Sequence, residues 1–154
     1  MRDYENNHKL DFYIDKLTSQ KMRVTSQRKS VLKCLIDHQG WHTVEDLISH
    51  MESTEGSKPN TASVYNTLHS FVKLGLVQAF LEVNTFKIYF NIRHDSHEHA
   101  YFFNTKNASF STLPFPDKLA KQISLFFKSN KIDVHDYYLV ATSHKKNKNE
   151  KDRK

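Results

Sequence analysis

TASVYNTLHSFVKLGL, residues Thr61 to Leu76, is the stretch on which the reading of the fold turns. Val64, Leu68 and Phe71 recur at helical spacing and predict an inward apolar stripe, while Thr61, Ser63, Tyr65, Asn66 and His69 leave the opposite side polar. Small residues at the start, with an aromatic hydroxyl in the first turns, suit a surface that reads a DNA groove. Asn60 is placed to cap the helix, Pro59 discourages helix upstream, and Gly75 stands where a left-handed C-terminal residue is wanted. An ordinary amphipathic helix carries the same signals, so the flanking sequence must separate recognition from packing.

Upstream, Leu10, Tyr13, Ile14 and Leu17 predict a first helix over Leu10–Ser19. Thr25 caps a second, with Val31, Leu32, Leu35 and Ile36 inward, running to about His38. Thr43 caps a third, in which Glu45 and Asp46 favour the positive end of the helix dipole and Leu47, Ile48 and Met51 face inward. Downstream, Val77, Ala79, Leu81 and Val83 alternate with Gln78, Phe80 and Glu82. Phe86, Ile88, Phe90 and Ile92 then alternate with Lys87, Tyr89, Asn91 and Arg93, so two strands meet around Asn84 and Thr85. Helix, polar connection, helix and hairpin make the winged helix-turn-helix order, in which the second helix enters the major groove and the wing follows the backbone. Lys87 and Arg93 are candidate phosphate contacts, or simply solvated strand residues.

Composition is compatible with this reading. The chain has 154 residues, 38 % apolar, with three Gly and three Pro, enough for one medium domain or two small ones. No run reaches bilayer-spanning length and the N-terminus lacks a signal-peptide core, so a soluble, cytoplasmic protein is expected. The single cysteine, Cys34, excludes an internal disulfide or a cysteine-only zinc cluster, and reads as a small buried or boundary residue. The net charge of +6 is concentrated at the C-terminus, where His144 to Lys154 hold six Lys or Arg against two Asp or Glu. Such a tail strengthens phosphate contacts without specifying sequence, or serves only as a disordered, solubilising end.

After Arg93 the stretch RHDSHEH gathers His94, Asp95, His97, Glu98 and His99. On a strand, His97 and His99 share a face and both imidazoles reach one metal, given ligands from elsewhere. Ala100–Phe103 and Ala108–Leu113 read as strands around a turn at Asn104 to Asn107. Pro116 and Asp117 start a helix with Leu119, Ile123, Phe126 and Phe127 on one face, Asn130 ends it, and Tyr137–Thr142 is a last strand. So small a unit needs a partner to cover its apolar surface, and a homodimer is the economical solution. The expected class is α+β, with a winged-helix DNA-binding domain over 1–93, an α/β dimerisation domain over 94–143 that carries the candidate metal-binding histidines, and a basic tail over 144–154.

The order of parts resembles the ferric uptake regulator family of metal-dependent bacterial repressors. The resemblance rests on Arg23-Val24-Thr25-Ser26-Gln27-Arg28, His42-Thr43-Val44-Glu45-Asp46-Leu47, Thr61-Ala62-Ser63-Val64-Tyr65-Asn66-Thr67-Leu68, Gly75-Leu76-Val77 and His97-Glu98-His99, and covers roughly Leu10 to Ala141. It implies a dimeric repressor that binds a double-stranded DNA operator when a divalent metal at a hinge sets the angle of its winged helices, and the polar helix face and wing read above then make Thr61, Ser63, Tyr65, Asn66 and Lys87 the candidate DNA contacts. His42, His97 and His99 match the hinge ligands. Three imidazoles suit zinc, iron, manganese or cobalt.

The resemblance is incomplete at its metal sites. The hinge carboxylate is replaced by the neighbourhood of Phe90 and Asn91, with Asp95, His94 or water as substitutes, and a further acidic ligand by Phe110. A second metal site retains Glu98 and His135 but carries Lys118 where a glutamate is wanted. Phe102 and Thr105 stand where many members have a zinc-binding Cys-x-x-Cys, so packing of Phe102 and Phe103 is expected to replace zinc–thiolate bonds. Two other readings remain at this stage: a metal-independent winged-helix DNA-binding protein with degenerate sensor sites, and a three-histidine metallohydrolase. The second lacks an accompanying acid–base set, and an enzyme is not expected.

Overall fold

The computed structural model describes residues 2–93, 100–134 and 137–143. The chain divides into two compact units, Met1–His94 and Asp95–Lys154.

The first unit begins with α1, Arg2–Ser19, which starts a full two turns before the expected Leu10. Its leading half carries no apolar stripe, so periodicity could not reveal it. It is held instead by polar ties: Lys9 pairs with Glu5 at 2.9 Å, one helical turn away, and Asn6 donates to the Asp37 carboxylate at 2.9 Å. Tyr13 and Leu17 supply the buried contacts, and the Tyr13 hydroxyl donates to the Arg93 carbonyl. Helix α2, Ser26–Asp37, opens at Thr25, whose hydroxyl accepts from the Arg28 N–H at 3.3 Å. Helix α3, Val44–Glu55, opens on a capping box: Thr43 Oγ1 accepts from the Asp46 N–H at 3.2 Å, and the Asp46 carboxylate accepts from the Thr43 N–H at 2.9 Å.

Helix α4, Thr61–Lys73, starts where the Asn60 side chain accepts from the Ser63 N–H at 3.0 Å. Val64, Leu68 and Phe71 are fully buried, joined by Thr67. The helix ends in a Schellman motif. Gly75 takes φ 69°, its N–H donates to the Val72 carbonyl at 3.0 Å, and the Leu76 N–H reaches the Phe71 carbonyl at 2.9 Å. The chain thereby reverses into the wing. Strands β1, Val77–Glu82, and β2, Lys87–Ile92, pair antiparallel from Val77↔Ile92 to Glu82↔Lys87. A bridge between His42 and Phe90 attaches the segment before α3 to this hairpin.

The wing departs from simple alternation. Its base is covered on both faces, since Tyr89, Phe90, Asn91 and Ile92 are all buried. At its tip Leu81, Val83, Phe86 and Ile88 are exposed, Phe86 by 78 %, while Glu82 is 4 % exposed. The reason is the turn: the Glu82 carboxylate accepts from the Asn84 N–H at 2.9 Å, Asn84 Nδ2 at 2.7 Å and the Thr85 N–H at 2.7 Å, and also takes the Thr85 hydroxyl. A buried acid organises the reversal from within, and the apolar side chains of the opposite face lie outside.

In the second unit β3, Ala100–Asn104, is central, antiparallel to β4, Ser109–Leu113, and parallel to β5, Leu139–Thr142, giving the order β4-β3-β5. Helix α5, Asp117–Ser129, lies in the connection between β4 and β5. Tyr101 and Phe103 share a face of β3 and are buried, and the Phe103 ring lies 4.7 Å from that of Phe110. Phe102 points the other way and is half-buried, so only Phe103 of the expected pair fills the core. Thr105, at the second of the two cysteine positions, is a hydrogen-bond clasp. Its N–H donates to Ser143 Oγ at 2.9 Å and its hydroxyl to the Ser143 carbonyl at 3.1 Å, joining the ends of β3 and β5. On α5 the expected inward face is corrected: Ala120, Ile123 and Phe127 are half-buried, whereas Leu119 and Phe126 are exposed. A three-stranded sheet covers only a narrow strip of the helix.

Candidate nucleic-acid interface and metal-ligand histidine

The outward face of α4 is polar and accessible. Thr61, Tyr65, Asn66 and His69 are exposed and Ser63 is half-buried. Thirteen residues make a helix roughly 20 Å long, a size that the major groove admits. Tyr65 is 39 % exposed. Partial burial, with the Glu45 carboxylate adding to it, raises its phenol pKa above the usual value, so the group stays a neutral donor and acceptor at physiological pH. Asn66 spends its backbone carbonyl on the Ser70 hydroxyl, at 2.8 Å.

On the wing, Lys87 is exposed at the start of β2. Arg93 is different. It is half-buried, its N–H donates to the Leu76 carbonyl at 2.9 Å, and its guanidinium reaches the Gly75 carbonyl at 3.4 Å. Its side chain is therefore not simply solvated but braces the end of α4. A Cβ added at Gly75 would stand 3.4 Å from the same guanidinium.

His42 is fixed through backbone and ring alike. Its N–H donates to the Phe90 carbonyl at 2.9 Å, and its carbonyl accepts the Phe90 N–H at 2.8 Å. Its Nε2 lies 2.7 Å from the carbonyl of His38, the C-cap of α2. A carbonyl only accepts, so Nε2 carries a proton, and the neutral tautomer that makes this bond has its lone pair on Nδ1. That is the pattern of a metal-binding imidazole, whose far nitrogen is held by a backbone carbonyl. The residue present thus fits one ligand of a zinc, iron or manganese site.

Two histidines not singled out by sequence surround it. The His50 ring, on α3, meets the His42 ring edge to face at 5.6 Å and 89°, and the His38 ring stacks on His50 at 3.8 Å and 14°. Burial, then the neighbouring His50 and His42, lower the His38 pKa, against the opposing pull of Asp37. Their signal in the sequence was the four-residue spacing of His38 and His42 across the end of a helix. The Asp46 carboxylate lies within the field of His42 and His50. Burial pushes its pKa up, but hydrogen bonds from Thr43 outweigh this and, with both histidines, hold it below the usual carboxylate value.

Among the described residues no group of three or more His, Cys, Asp or Glu is gathered to hold a metal ion. His97, His99, Glu98 and His135 lie outside the described residues, as do His94 and Asp95. Phe90 and Phe110, at the positions expected to carry carboxylates, are buried and half-buried respectively, and Lys118 is exposed. Cys34 is buried, with Sγ 3.7 Å from the Leu47 carbonyl. Burial, with Asp37 and Glu55 adding to it, pushes its thiol up to about 11, which leaves it protonated and unreactive.

The sequence model of the ferric uptake regulator family matches residues 19–141. A relative in Mycoplasma pneumoniae, described as the uncharacterized protein MG236 homolog, is 39 % identical over 138 residues, covering 89 % of this chain and 87 % of the relative. The ferric uptake regulator from Pseudomonas aeruginosa, solved with manganese, superposes with a TM-score of 0.69 at 20 % identity, covering 86 % of this chain and 97 % of that one. A zinc uptake regulator complexed with zinc and DNA superposes with a TM-score of 0.60 at 16 % identity, covering 90 % of this chain and 91 % of that one. These structures share the fold, and the chain belongs to the ferric uptake regulator family.

Proposed function

We propose that this protein is a dimeric, metal-responsive DNA-binding transcriptional regulator, a repressor acting in the cytoplasm and not an enzyme. The observation that carries the reading is α4: a helix capped at Asn60, ended at Gly75, seated on a buried stripe and followed at once by a wing, with Thr61, Tyr65 and Asn66 on its outer face. Thr61, Ser63, Tyr65 and Asn66 contact base edges or the adjoining backbone, and Lys87 meets a phosphate. The second unit dimerises through the apolar surface that α5 leaves uncovered, and two symmetric reading helices call for an operator of two half-sites about 34 Å, or a multiple of that, apart. The basic end over 144–154 adds sequence-independent attraction to phosphate.

His42, with His97 and His99 following the first unit in the chain, forms the sensor in this proposal. These residues would hold a divalent ion, whose binding would favour the DNA-competent form of the protein. The zinc- and DNA-bound relative with the same fold supports this use of the architecture. Metal analysis of the purified protein, paired with operator binding before and after chelation, tests it. Bound zinc, iron or manganese is expected, with affinity lost on chelation and restored by the ion. The buried Phe90 in place of a carboxylate favours a second reading, a winged-helix protein that binds DNA without metal. Full operator affinity in metal-free protein would establish that reading and refute the sensor.

A further inference from the structure

We propose that His38 and His50 are positioning residues that set which nitrogen of His42 binds metal. The inference rests on the reading of His42 as a sensor ligand. Three rings converge from three places: the C-cap of α2, the residue before the cap of α3, and the middle of α3. His42 is the member whose backbone is fixed by two hydrogen bonds to Phe90, at 2.9 and 2.8 Å. Its ring has two soft torsions, and each is restrained by a different neighbour.

The first restraint is the His38 carbonyl, 2.7 Å from Nε2. The last carbonyls of a helix have no partner within it, and His38 leaves helical geometry at φ −110° and ψ 78°, so its oxygen is available to an outside donor. This contact assigns the proton to Nε2 and leaves Nδ1 as the ligating atom. The second restraint is the His50 ring, which stands perpendicular to His42 at 5.6 Å and limits rotation about its last torsion. His50 is steadied in turn by the His38 ring stacked on it at 3.8 Å. His38 therefore acts on His42 twice, directly through its carbonyl and indirectly through its ring.

The arrangement also gives metal occupancy a route into the DNA-binding unit. With a cation held at Nδ1, the Nε2–H of His42 would be a stronger donor to the His38 carbonyl, and this bond between the end of α2 and the start of α3 would be firmer. Through its pairing with Phe90 the same residue is attached to the wing.

The test uses the full chain. Long-range proton–nitrogen spectra of the imidazoles in chelator-treated protein are expected to show His42 protonated on Nε2; a proton on Nδ1 overturns the proposal. Zinc affinity, measured by competition with a chromophoric chelator, is expected to fall about tenfold or more in His50→Ala and to stay near the parent value in His50→Phe, which keeps the ring wall. Fluorescence unfolding of each variant confirms that it folds. Equal zinc affinity in His50→Ala and the parent overturns the positioning role, as does an equal loss in both variants. Zinc lost in His42→Ala but unmoved in His50→Ala overturns the positioning alone; zinc retained in His42→Ala overturns the sensor reading and the positioning with it.

Discussion

Thr43→Ala should destabilise the winged-helix unit by about 2 kcal/mol. The side chain does two things at the start of α3: its oxygen accepts from the Asp46 N–H at 3.2 Å, and its hydroxyl donates to the Asp46 carboxylate at 2.7 Å. Loss of an N-cap costs about 1 kcal/mol, and loss of a hydrogen bond to a charged acceptor about 1 more after solvent compensation. The bond from the Thr43 N–H to the same carboxylate survives in the alanine variant. For a unit near a hundred residues this corresponds to a midpoint about 10 °C lower. Trp41 is the only tryptophan of the chain, stands two residues from the cap and lies 6.4 Å from the Phe80 ring, so urea unfolding followed by its fluorescence reports this unit. The pH dependence has a definite sign. The folded Asp46 pKa is depressed by burial-opposed hydrogen bonds from Thr43, so its stabilisation is present above the ordinary carboxylate pKa and is lost as pH falls through the lower folded value. The gap between parent and variant must therefore narrow on acidification. A loss below about 0.5 kcal/mol at neutral pH, or a Thr43→Ser variant as weak as the alanine, would refute the reasoning.

Tyr65→Ala is expected to reduce discrimination between operator and scrambled DNA by about 1–3 kcal/mol with dimerisation unchanged; fluorescence anisotropy that gives the same ratio for both proteins rejects Tyr65 as a reader. Glu82 is held down to about 2 by bonds from Thr85 and Asn84, against an ordinary 4.5, so its contribution to the wing turn is complete above 4.5 and disappears as pH falls toward 2. The carboxyl titration, followed by nuclear magnetic resonance together with the Asn84 and Thr85 amides, checks this, and a midpoint near 4.5 contradicts it. Phe103→Ala removes a ring that is 1 % exposed and should destabilise the second unit by about 3–5 kcal/mol. Unchanged amide exchange across residues 100–113 would show that the core lies elsewhere.

Elements with an apolar stripe and a capping side chain were legible in the sequence. Thr25, Thr43 and Asn60 each accept the hydrogen bond expected of them, and Val64, Leu68 and Phe71 are buried as their spacing predicts. What escaped was held by interactions without a period. The first eight residues of α1 depend on Asn6 with Asp37 and Glu5 with Lys9. The wing tip depends on one carboxylate that gathers four donors from two residues, Asn84 and Thr85, whereas alternation reads Glu82 as an outward strand position. Arg93 reads as a phosphate contact or a solvated strand residue, because charge says nothing of the Gly75 carbonyl that its side chain reaches. At the site, His42 was singled out by the family resemblance, whereas the sequence reading did not single out His38 and His50. Their rings meet only when the end of α2 is folded against α3.

The clasp at Thr105 separates two things that thiol ligands would join. A fold closed by zinc and sulfur depends on the supply of the ion and on the redox state of the cell, so starvation or oxidation threatens the scaffold as well as the signal. Hydroxyl and amide groups of Thr105 and Ser143 have neither dependence. The junction of β3 and β5 can be made in a metal-poor, peroxide-rich cell as readily as in a replete one, and a chelator added to the protein has no bond to break there. At this junction closure asks nothing of an ion, so in the proposed sensor a metal would carry the signal without also fastening these two strands.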